Sequence, residues 1–270
     1  GNHVEIPRLG VHRTGRAHRQ RQHFLDQLAR DRLVEIAPDR AAAHDHVIVP
    51  LASARACLTK RQKELGVALI DIGAETTGIA VFEEGKVSFT SILPVGSNHI
   101  TKDIVYGFRT TIDVAERLKV NFAVAREPKT RDTTKIDLTK VGSKGTVMQH
   151  ELDMIVSSRL NEIADLIRAE LERAGKEHLM ASGVVVTGGG AKLAELPAYL
   201  EKCLKVPVVL AGPTGFTGIV ERVKDPSYST LIGLLLEDVD HPSTGSSIND
   251  RLTQAFGRAQ SFARNLFSRS

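Results

Sequence analysis

The sequence predicts an α/β protein in which glycine-bearing turns follow two buried strands. Residues 66–82 contain an apolar run, a short polar stretch and a second apolar run, a pattern typical of strand, tight turn and strand. Residues 183–187 form another apolar run, which leads into three glycines and then into a helical pattern. Residues 151–174 carry apolar residues at helical spacing, which predicts a long amphipathic helix. Together these patterns indicate an α/β fold.

The first turn, residues 71–77, has the chemistry of a phosphate site. Gly73 allows a sharp bend, and the consecutive N–H groups of such a bend form a concavity that suits phosphate oxygens. The hydroxyls of Thr76 and Thr77 add donors, and Asp71 is a candidate ligand for a magnesium ion, directly or through water. The alternative is an ordinary hairpin with a polar tip.

The second turn is the glycine triplet Gly188, Gly189 and Gly190. A strand, a glycine triplet and a helix form a place where a ligand can lie against bare backbone. Between the two turns, a predicted helix ends with Glu116 and Lys119, which lie three residues apart on one face. In the functional interpretation, these two residues contact a ribose and a base. In the alternative, they form a surface ion pair.

Apolar spacing predicts the other elements in order. Further helices are predicted over residues 24–32, 51–64, 97–108 and 111–120, and over residues 227–236. Further strands are predicted over residues 47–49, 86–93, 135–138 and 206–210. Pro50 is expected to end the strand before it, Gly66 to cap the helix before it, and Thr111 to begin the helix after it.

Composition limits the class of protein. In the 270-residue chain, 41% of the residues are hydrophobic, which is enough for a core, and no apolar run is long enough to span a bilayer. The formal net charge is +4, and residues 1–23, with five arginines and one acid, account for all of it. Such a leader without interleaved aromatic residues is poor evidence for nucleic acid, so no nucleic-acid partner is expected. The two cysteines, Cys57 and Cys203, are expected to stay unpaired, as in a reducing cytoplasm.

The tail, residues 251–270, predicts an amphipathic helix after a flexible linker over residues 238–250. Apolar side chains fall on one face, arginines flank that face, and no acidic residue interrupts the tail. Arginines placed in this way can reach lipid phosphates while the apolar face enters the acyl boundary. A helix docked on a partner or on its own domain is the first alternative, and disorder is the second. The candidate membrane-binding residues are Leu252, Phe256, Arg258, Phe262, Arg264, Leu266 and Phe267.

These motifs resemble the superfamily of actin, sugar kinases and heat-shock ATPases, and within it the FtsA family of bacterial cell-division proteins. The resemblance rests on residues 50–82, 93–119, 183–213 and 225–237 and covers about residues 50–270. It implies an actin-like (ribonuclease H-like) ATPase fold, of which this chain holds about the C-terminal two-thirds, because no earlier Asp-Gly-Thr-type loop precedes Asp71. Many relatives have glycines where this chain has Ala74 and Glu75, and an aspartate where it has Gly78. These differences bear on the hydrolytic activity of the turn more than on its shape.

The resemblance also implies a division of the chain. The expected segments are a basic, disordered leader (1–23), a remnant of the first large domain with a crossing helix (24–66), the second large domain (67–104 and 179–224), an inserted subdomain (105–178), a second crossing helix (225–237), the linker (238–250) and the membrane-targeting helix (251–270). ATP and Mg²⁺ are the implied cofactors. Their implied contacts are Asp71, Gly73, Ala74, Glu75, Thr76, Thr77, Glu116, Lys119, Gly188, Gly189, Gly190 and Lys192, with Asp71 at the metal.

The function that the resemblance implies is structural. An ATP-binding protein of this kind would tether the tubulin-like FtsZ ring to the cytoplasmic face of the plasma membrane at the division site, help recruit the divisome and polymerise with itself. No catalytic residue is assigned, and at most a weak ATPase activity is expected. A sugar kinase of the same fold would need a catalytic aspartate and an intact first loop, and neither is visible. A pilus-assembly ATPase of the same fold would not need the tail.

Overall fold

The computed structural model describes residues 49–129, 132–176, 180–214 and 221–240, all within one compact unit of the chain. Its main sheet has the strands β1 (Val67–Ile72), β2 (Thr77–Glu83), β3 (Lys86–Leu93), β6 (Val184–Thr187) and β7 (Val208–Leu210). A small hairpin adds β4 (Lys135–Asp137) and β5 (Thr146–Met148). The helices are α1 (Val49–Cys57), α2 (Lys60–Leu65), α3 (Ser97–Phe108), α4 (Ile112–Phe122), α5 (Gln149–Arg173), α6 (Leu196–Leu204) and α7 (Ser229–Asp240).

The five-stranded sheet has the order β3-β2-β1-β6-β7. The first three strands form an antiparallel meander, and β6 and β7 run parallel to β1. All six residues of β1 are buried, which explains why that strand reads as an almost continuous apolar run. Because β1 and β6 are parallel neighbours, the turns that follow them leave the sheet at the same edge.

The helices α1 and α7 cover the face of the sheet on which Val67 and Leu69 lie. The two helices touch backbone to backbone, since a Cβ added at Gly233 of α7 would collide with the carbonyl of Ala52. Strand residues alternate between faces, so Asp71 shares this face with Val67 and Leu69. The Asp71 side chain, at the end of β1, therefore points toward α1 and α7.

The segment after α4 is tied to the start of α5 by a buried carboxylate. Asp153 is fully buried and accepts hydrogen bonds from Arg126 Nε at 2.7 Å and from Gln149 Nε2 at 2.8 Å. Both oxygens of the carboxylate are therefore paired, as a buried charge requires.

Several sequence predictions are confirmed. The predicted helices over residues 97–108, 111–120 and 151–174 correspond to α3, α4 and α5. Thr111 caps α4 by accepting from the Val114 N–H, and Gly66, at a φ of 95°, ends α2. Both cysteines are free thiols, as expected.

Other predictions of elements are wrong in detail. Val49 and Pro50 belong to the first turn of α1 and not to a strand, a position that proline tolerates because its missing N–H is unpaired there in any case. The helix predicted over residues 51–64 is two helices, because the capping box of Thr59 and Gln62 starts a new one. The last helix begins at Ser229 and not at residue 227, after a 3₁₀ turn over Pro226–Tyr228.

The helix predicted directly after the glycine triplet also begins later. A 3₁₀ turn over Gly189–Lys192 comes first, and α6 begins only at Leu196, after Glu195 in the left-handed conformation. The triplet therefore does not lie at the N-terminus of a long helix. Strand β5 was not predicted from the sequence.

Candidate functional site

The two glycine turns meet at one edge of the sheet. Asp71 in β1 is the register partner of Thr187 in β6, so the turns start side by side. A Cβ added at Gly188 would collide with Asp71 Oδ1 and lie 2.5 Å from the Ile72 carbonyl oxygen. A Cβ added at Gly190 would lie 2.6 Å from Ile72 Cγ2. The turns thus pack so closely that these two positions have no room for a side chain.

The first turn is fixed by its own backbone and by the start of α3. The Gly73 N–H donates to the Thr76 carbonyl at 2.9 Å. The N–H groups of Ser97 and Asn98, in the first turn of α3, donate to the carbonyls of Gly73 and Ala74 at 2.9 and 2.8 Å. The carbonyls of Gly73 and Ala74 therefore face α3.

The N–H groups of the same turn point elsewhere. Ala74, Glu75 and Thr76 are exposed, and within the described residues their N–H groups donate to no backbone carbonyl. Three successive N–H groups in such a bend form an anion-binding concavity. The backbone of the turn therefore fits a phosphate group.

The side chains of the first turn divide into two groups. Glu75 accepts from Asn98 Nδ2 at 2.9 Å and forms an ion pair with Lys102 Nζ at 3.1 Å. The hydrogen bond from Asn98 lowers the pKa of Glu75 most, and the hydrogen bond from Lys102 is the next largest cause. A negative charge is unfavourable next to a phosphate, and the ion pair with Lys102 partly neutralises the charge of this carboxylate. Thr77 is fully buried, and its hydroxyl donates to the Val95 carbonyl at 2.7 Å, so only Thr76 offers a hydroxyl at the exposed tip.

Asp71 is the acid at the junction of the two turns. Its Oδ2 accepts from the hydroxyls of Ser53 in α1 and Thr230 in α7, the latter at 3.0 Å. Within the described part of the chain, no donor reaches Oδ1, the oxygen that lies against Gly188. A buried carboxylate with one oxygen left over fits a magnesium ion, which typically takes one or two carboxylates and completes its shell with phosphate and water. In the described ranges, no three His, Cys, Asp or Glu side chains gather as a larger metal site.

The second turn depends on glycine geometry. Gly188 has φ 89° and ψ 169°, a conformation essentially restricted to glycine. Its N–H donates to the Pro226 carbonyl at 3.3 Å, and a Cβ on the exposed Gly189 would lie 3.6 Å from Ser227 Oγ. Lys192 Nζ is paired with Asp225 Oδ2 at 2.6 Å. The turn is therefore held by the segment before α7.

The pair Glu116 and Lys119 lies beside the start of α3. Lys119 is buried, and its Nζ contacts Glu116 Oε2 at 2.8 Å, Thr101 Oγ1 at 2.8 Å and the Ser97 carbonyl at 3.3 Å. The lysine thus ties α4 to the helix that holds the first turn. The Glu116 side chain is 44% exposed and forms the open end of this pair.

The structure brings together residues that sequence patterns did not indicate. Ser53 and Thr230 hold Asp71, and Gly96 is required because a Cβ there would lie 2.5 Å from the Ala74 carbonyl oxygen. Lys102 pairs with Glu75 across 27 positions. The only available signal was Ser53, a polar residue among the apolar and alanine positions of α1.

A separate surface cleft of about 340 Å³ lies between α3 and α5. Its apolar part includes Tyr106, which is 82% exposed, and Met154, which is 53% exposed. Its polar part is Arg159, which contacts Asp103 at 2.6 and 2.8 Å and Glu162 at 2.7 Å. The hydrogen bonds that Arg159 donates to the Asp103 carboxylate raise the pKa of its guanidinium. Exposed aromatic and methionine side chains beside a fixed arginine are typical of partner-binding surfaces.

The predicted membrane-binding residues of the tail lie outside the described residues. In the part of the chain that the structure describes, no helix has both the length and the apolar character needed to cross a bilayer.

Comparison with solved structures shows the fold. MreB5 of Spiroplasma citri bound to ADP superposes with a TM-score of 0.55 and 19% identity, over 70% of this chain and 58% of that one. The PilM–PilN type IV pilus biogenesis complex gives a TM-score of 0.53 and 19% identity, over 70% of this chain and 51% of that one. The actin-like fold implied by the sequence is confirmed.

Comparison with curated proteins gives the family. A sequence model described as "Cell division protein FtsA" matches residues 68–233. The protein of that name from Pseudomonas aeruginosa is 35% identical, over 76% of this chain and 50% of its own length. The protein of that name from Neisseria meningitidis is 37% identical, over 70% of this chain and 46% of its own length. This chain thus spans about half the length of the curated relatives it matches, and it belongs to the FtsA family of cell division proteins.

Proposed function

We propose that the chain is an ATP-binding, actin-like cell-division protein. In this role it tethers the FtsZ ring to the cytoplasmic face of the plasma membrane at the division site and helps recruit the divisome. Membership of the FtsA family supports the setting in cell division. The observation that carries the nucleotide-binding part is the direct packing of the first turn against Gly188 and Gly190.

The proposed nucleotide site uses both turns. The exposed N–H groups of Ala74, Glu75 and Thr76 receive phosphate oxygens, and Oδ1 of Asp71 takes Mg²⁺ or a water bound to it. Gly189 and Gly190 offer bare backbone to the adenosine, with Lys192 and Glu116 at its edges. The structure of a relative in fold, MreB5 of Spiroplasma citri, contains ADP, which supports an adenine nucleotide as the ligand.

Self-assembly is the second part of the proposal. Actin-like proteins form filaments, and many weak membrane contacts on one filament hold more firmly than a single contact. The tail, residues 251–270, supplies these contacts by burying its phenylalanine face and placing its arginines at anionic headgroups.

The cleft between α3 and α5 is the proposed contact for FtsZ. Tyr106 and Met154 provide apolar area that the described residues leave exposed, and Arg159 provides a charge fixed in place by Asp103. Such an arrangement combines an aromatic anchor with a polar rim.

Co-flotation tests this function. With FtsZ and vesicles rich in anionic lipid, the chain is expected to carry FtsZ to the top of a density gradient, whereas FtsZ alone stays at the bottom. Tyr106→Ser is expected to weaken the affinity for FtsZ by about 30-fold, and so to lower the floated FtsZ, because a central aromatic anchor is commonly worth about 2 kcal/mol. The variant protein itself should still float.

The matched control is Val120→Ser, which removes an apolar side chain of α4 that is 69% exposed and does not line the cleft. FtsZ that stays at the bottom with the unmodified chain would refute tethering. Equal co-flotation of the two variants would refute the cleft as the contact.

A further inference from the structure

A seam of small polar side chains lies between α1 and α7, directly behind the two glycine turns. Most of its members are deeply buried in a region otherwise lined with apolar residues. Those nine-tenths or more buried are Ser53, Cys57, Asp71, Thr187 and Ser229. Buried polar groups need partners, so the contacts along this seam decide what it holds in place.

One half of the seam surrounds Asp71. Ser53 in α1 and Thr230 in α7 both donate to Oδ2, and the two hydroxyl oxygens lie 2.8 Å apart. Each hydroxyl has one proton, so both can reach the carboxylate only if neither proton serves the contact between them. Hydrogen bonds to a charged acceptor are the stronger ones, so the carboxylate receives both protons.

The other half surrounds Thr187 and does not contact Asp71 directly. The hydroxyls of Thr187 in β6 and Ser229 in α7 lie 2.6 Å apart, and the Cys57 thiol donates to Ser229 Oγ at 3.2 Å. Burial raises the pKa of the Cys57 thiol, so it remains a neutral donor. The two halves are neighbours, because Asp71 and Thr187 are register partners.

We propose that Ser53 and Thr230 are positioning residues for Asp71. By holding Oδ2 from both helices, they leave Oδ1 fixed against the second turn, where the nucleotide-bound magnesium ion of the proposed function would lie. This inference rests on that proposed function. It adds Ser53 and Thr230 to the proposed magnesium site and connects that site to the packing of α1 on α7. Without the hydroxyls, the carboxylate loses its fixed rotamer and its affinity for the metal falls.

The test compares ATP binding with and without magnesium. Equilibrium titration of a fluorescent ATP analogue, in excess Mg²⁺ and in EDTA, gives two dissociation constants and their ratio. The double variant Ser53→Ala/Thr230→Val is expected to weaken binding in Mg²⁺ by roughly 10- to 100-fold, as for other residues that orient a metal ligand. Binding in EDTA should change by less than about twofold, since residues that act only through the metal do not affect the metal-free nucleotide.

Two controls separate positioning from general damage. Ser229→Ala removes a buried hydroxyl of the same helix that does not touch Asp71, so the ratio should stay as in the unmodified chain. Thr230→Ser keeps the hydroxyl and should also preserve the ratio. Urea unfolding of each variant verifies that the comparison is made on folded protein.

The outcomes are distinguishable. Equal weakening in Mg²⁺ and EDTA, or no weakening, overturns the positioning role while the nucleotide site stands. An unmodified chain that binds the analogue in neither condition overturns both the nucleotide site and the positioning role. A loss confined to Mg²⁺ and to the double variant supports the inference.

Discussion

Removal of residues 249–270 is expected to abolish flotation of the chain with anionic vesicles. The tail presents three phenylalanines and two leucines on one predicted face, and burial of each phenylalanine is worth about 1.5–3 kcal/mol. Each nearby arginine adds about 1 kcal/mol at an anionic surface. Helix formation offsets part of this gain, so a single tail binds reversibly.

A substitution pair sharpens this prediction without shortening the chain. Changing Phe256, Phe262 and Phe267 to serine should lower the apparent vesicle affinity at least about 100-fold. Changing Gln254, Ser261 and Asn265, on the opposite face, to alanine should lower it less than threefold. Flotation of the shortened chain that equals that of the intact chain would show that the membrane contact lies elsewhere.

Gly188→Ala is expected to damage both the stability and the nucleotide site. The residue would need a backbone conformation essentially limited to glycine, and its Cβ would collide with Asp71 Oδ1 and approach the Ile72 carbonyl oxygen to 2.5 Å. Backbone strain and overpacking together predict a loss of roughly 2–4 kcal/mol in the free energy of unfolding. Displacement of Asp71 should also weaken ATP binding in Mg²⁺ by more than about tenfold.

The matched control is Gly145→Ala. Gly145 also has a positive φ, 100°, but a Cβ there meets nothing within 4 Å. It should therefore cost only the backbone strain, about 1 kcal/mol, and leave ATP binding unchanged. Urea unfolding and nucleotide titration give both quantities. If the two variants lose the same stability and bind ATP equally well, the two turns do not depend on each other.

The elements that sequence predicts well are those with a long or continuous pattern. Strand β1 is buried along its whole length, and α5 repeats its apolar residues over many turns, so both are visible in the sequence. The two turns could be identified because glycine is required where backbone meets backbone, as at Gly188.

The parts that sequence could not predict depend on contacts between distant positions. Ser53 and Thr230 converge on Asp71 from 18 and 159 residues away, and no local pattern encodes that meeting. α6 starts late because Glu195 adopts the left-handed conformation. This conformation is uncommon for a glutamate and cannot be predicted from the residue type. The ion pair of Glu75 could not be predicted for the same reason, since its partner Lys102 lies on another element.

Hydrogen exchange of backbone amides, measured with and without Mg²⁺ and ATP, tests most directly whether the two turns form one nucleotide site. Residues 73–77 and 188–192 are expected to become protected together, at the same ATP concentration, while the hairpin of β4 and β5 exchanges as before. Protection of one turn without the other, or of neither turn in the folded chain, would contradict it.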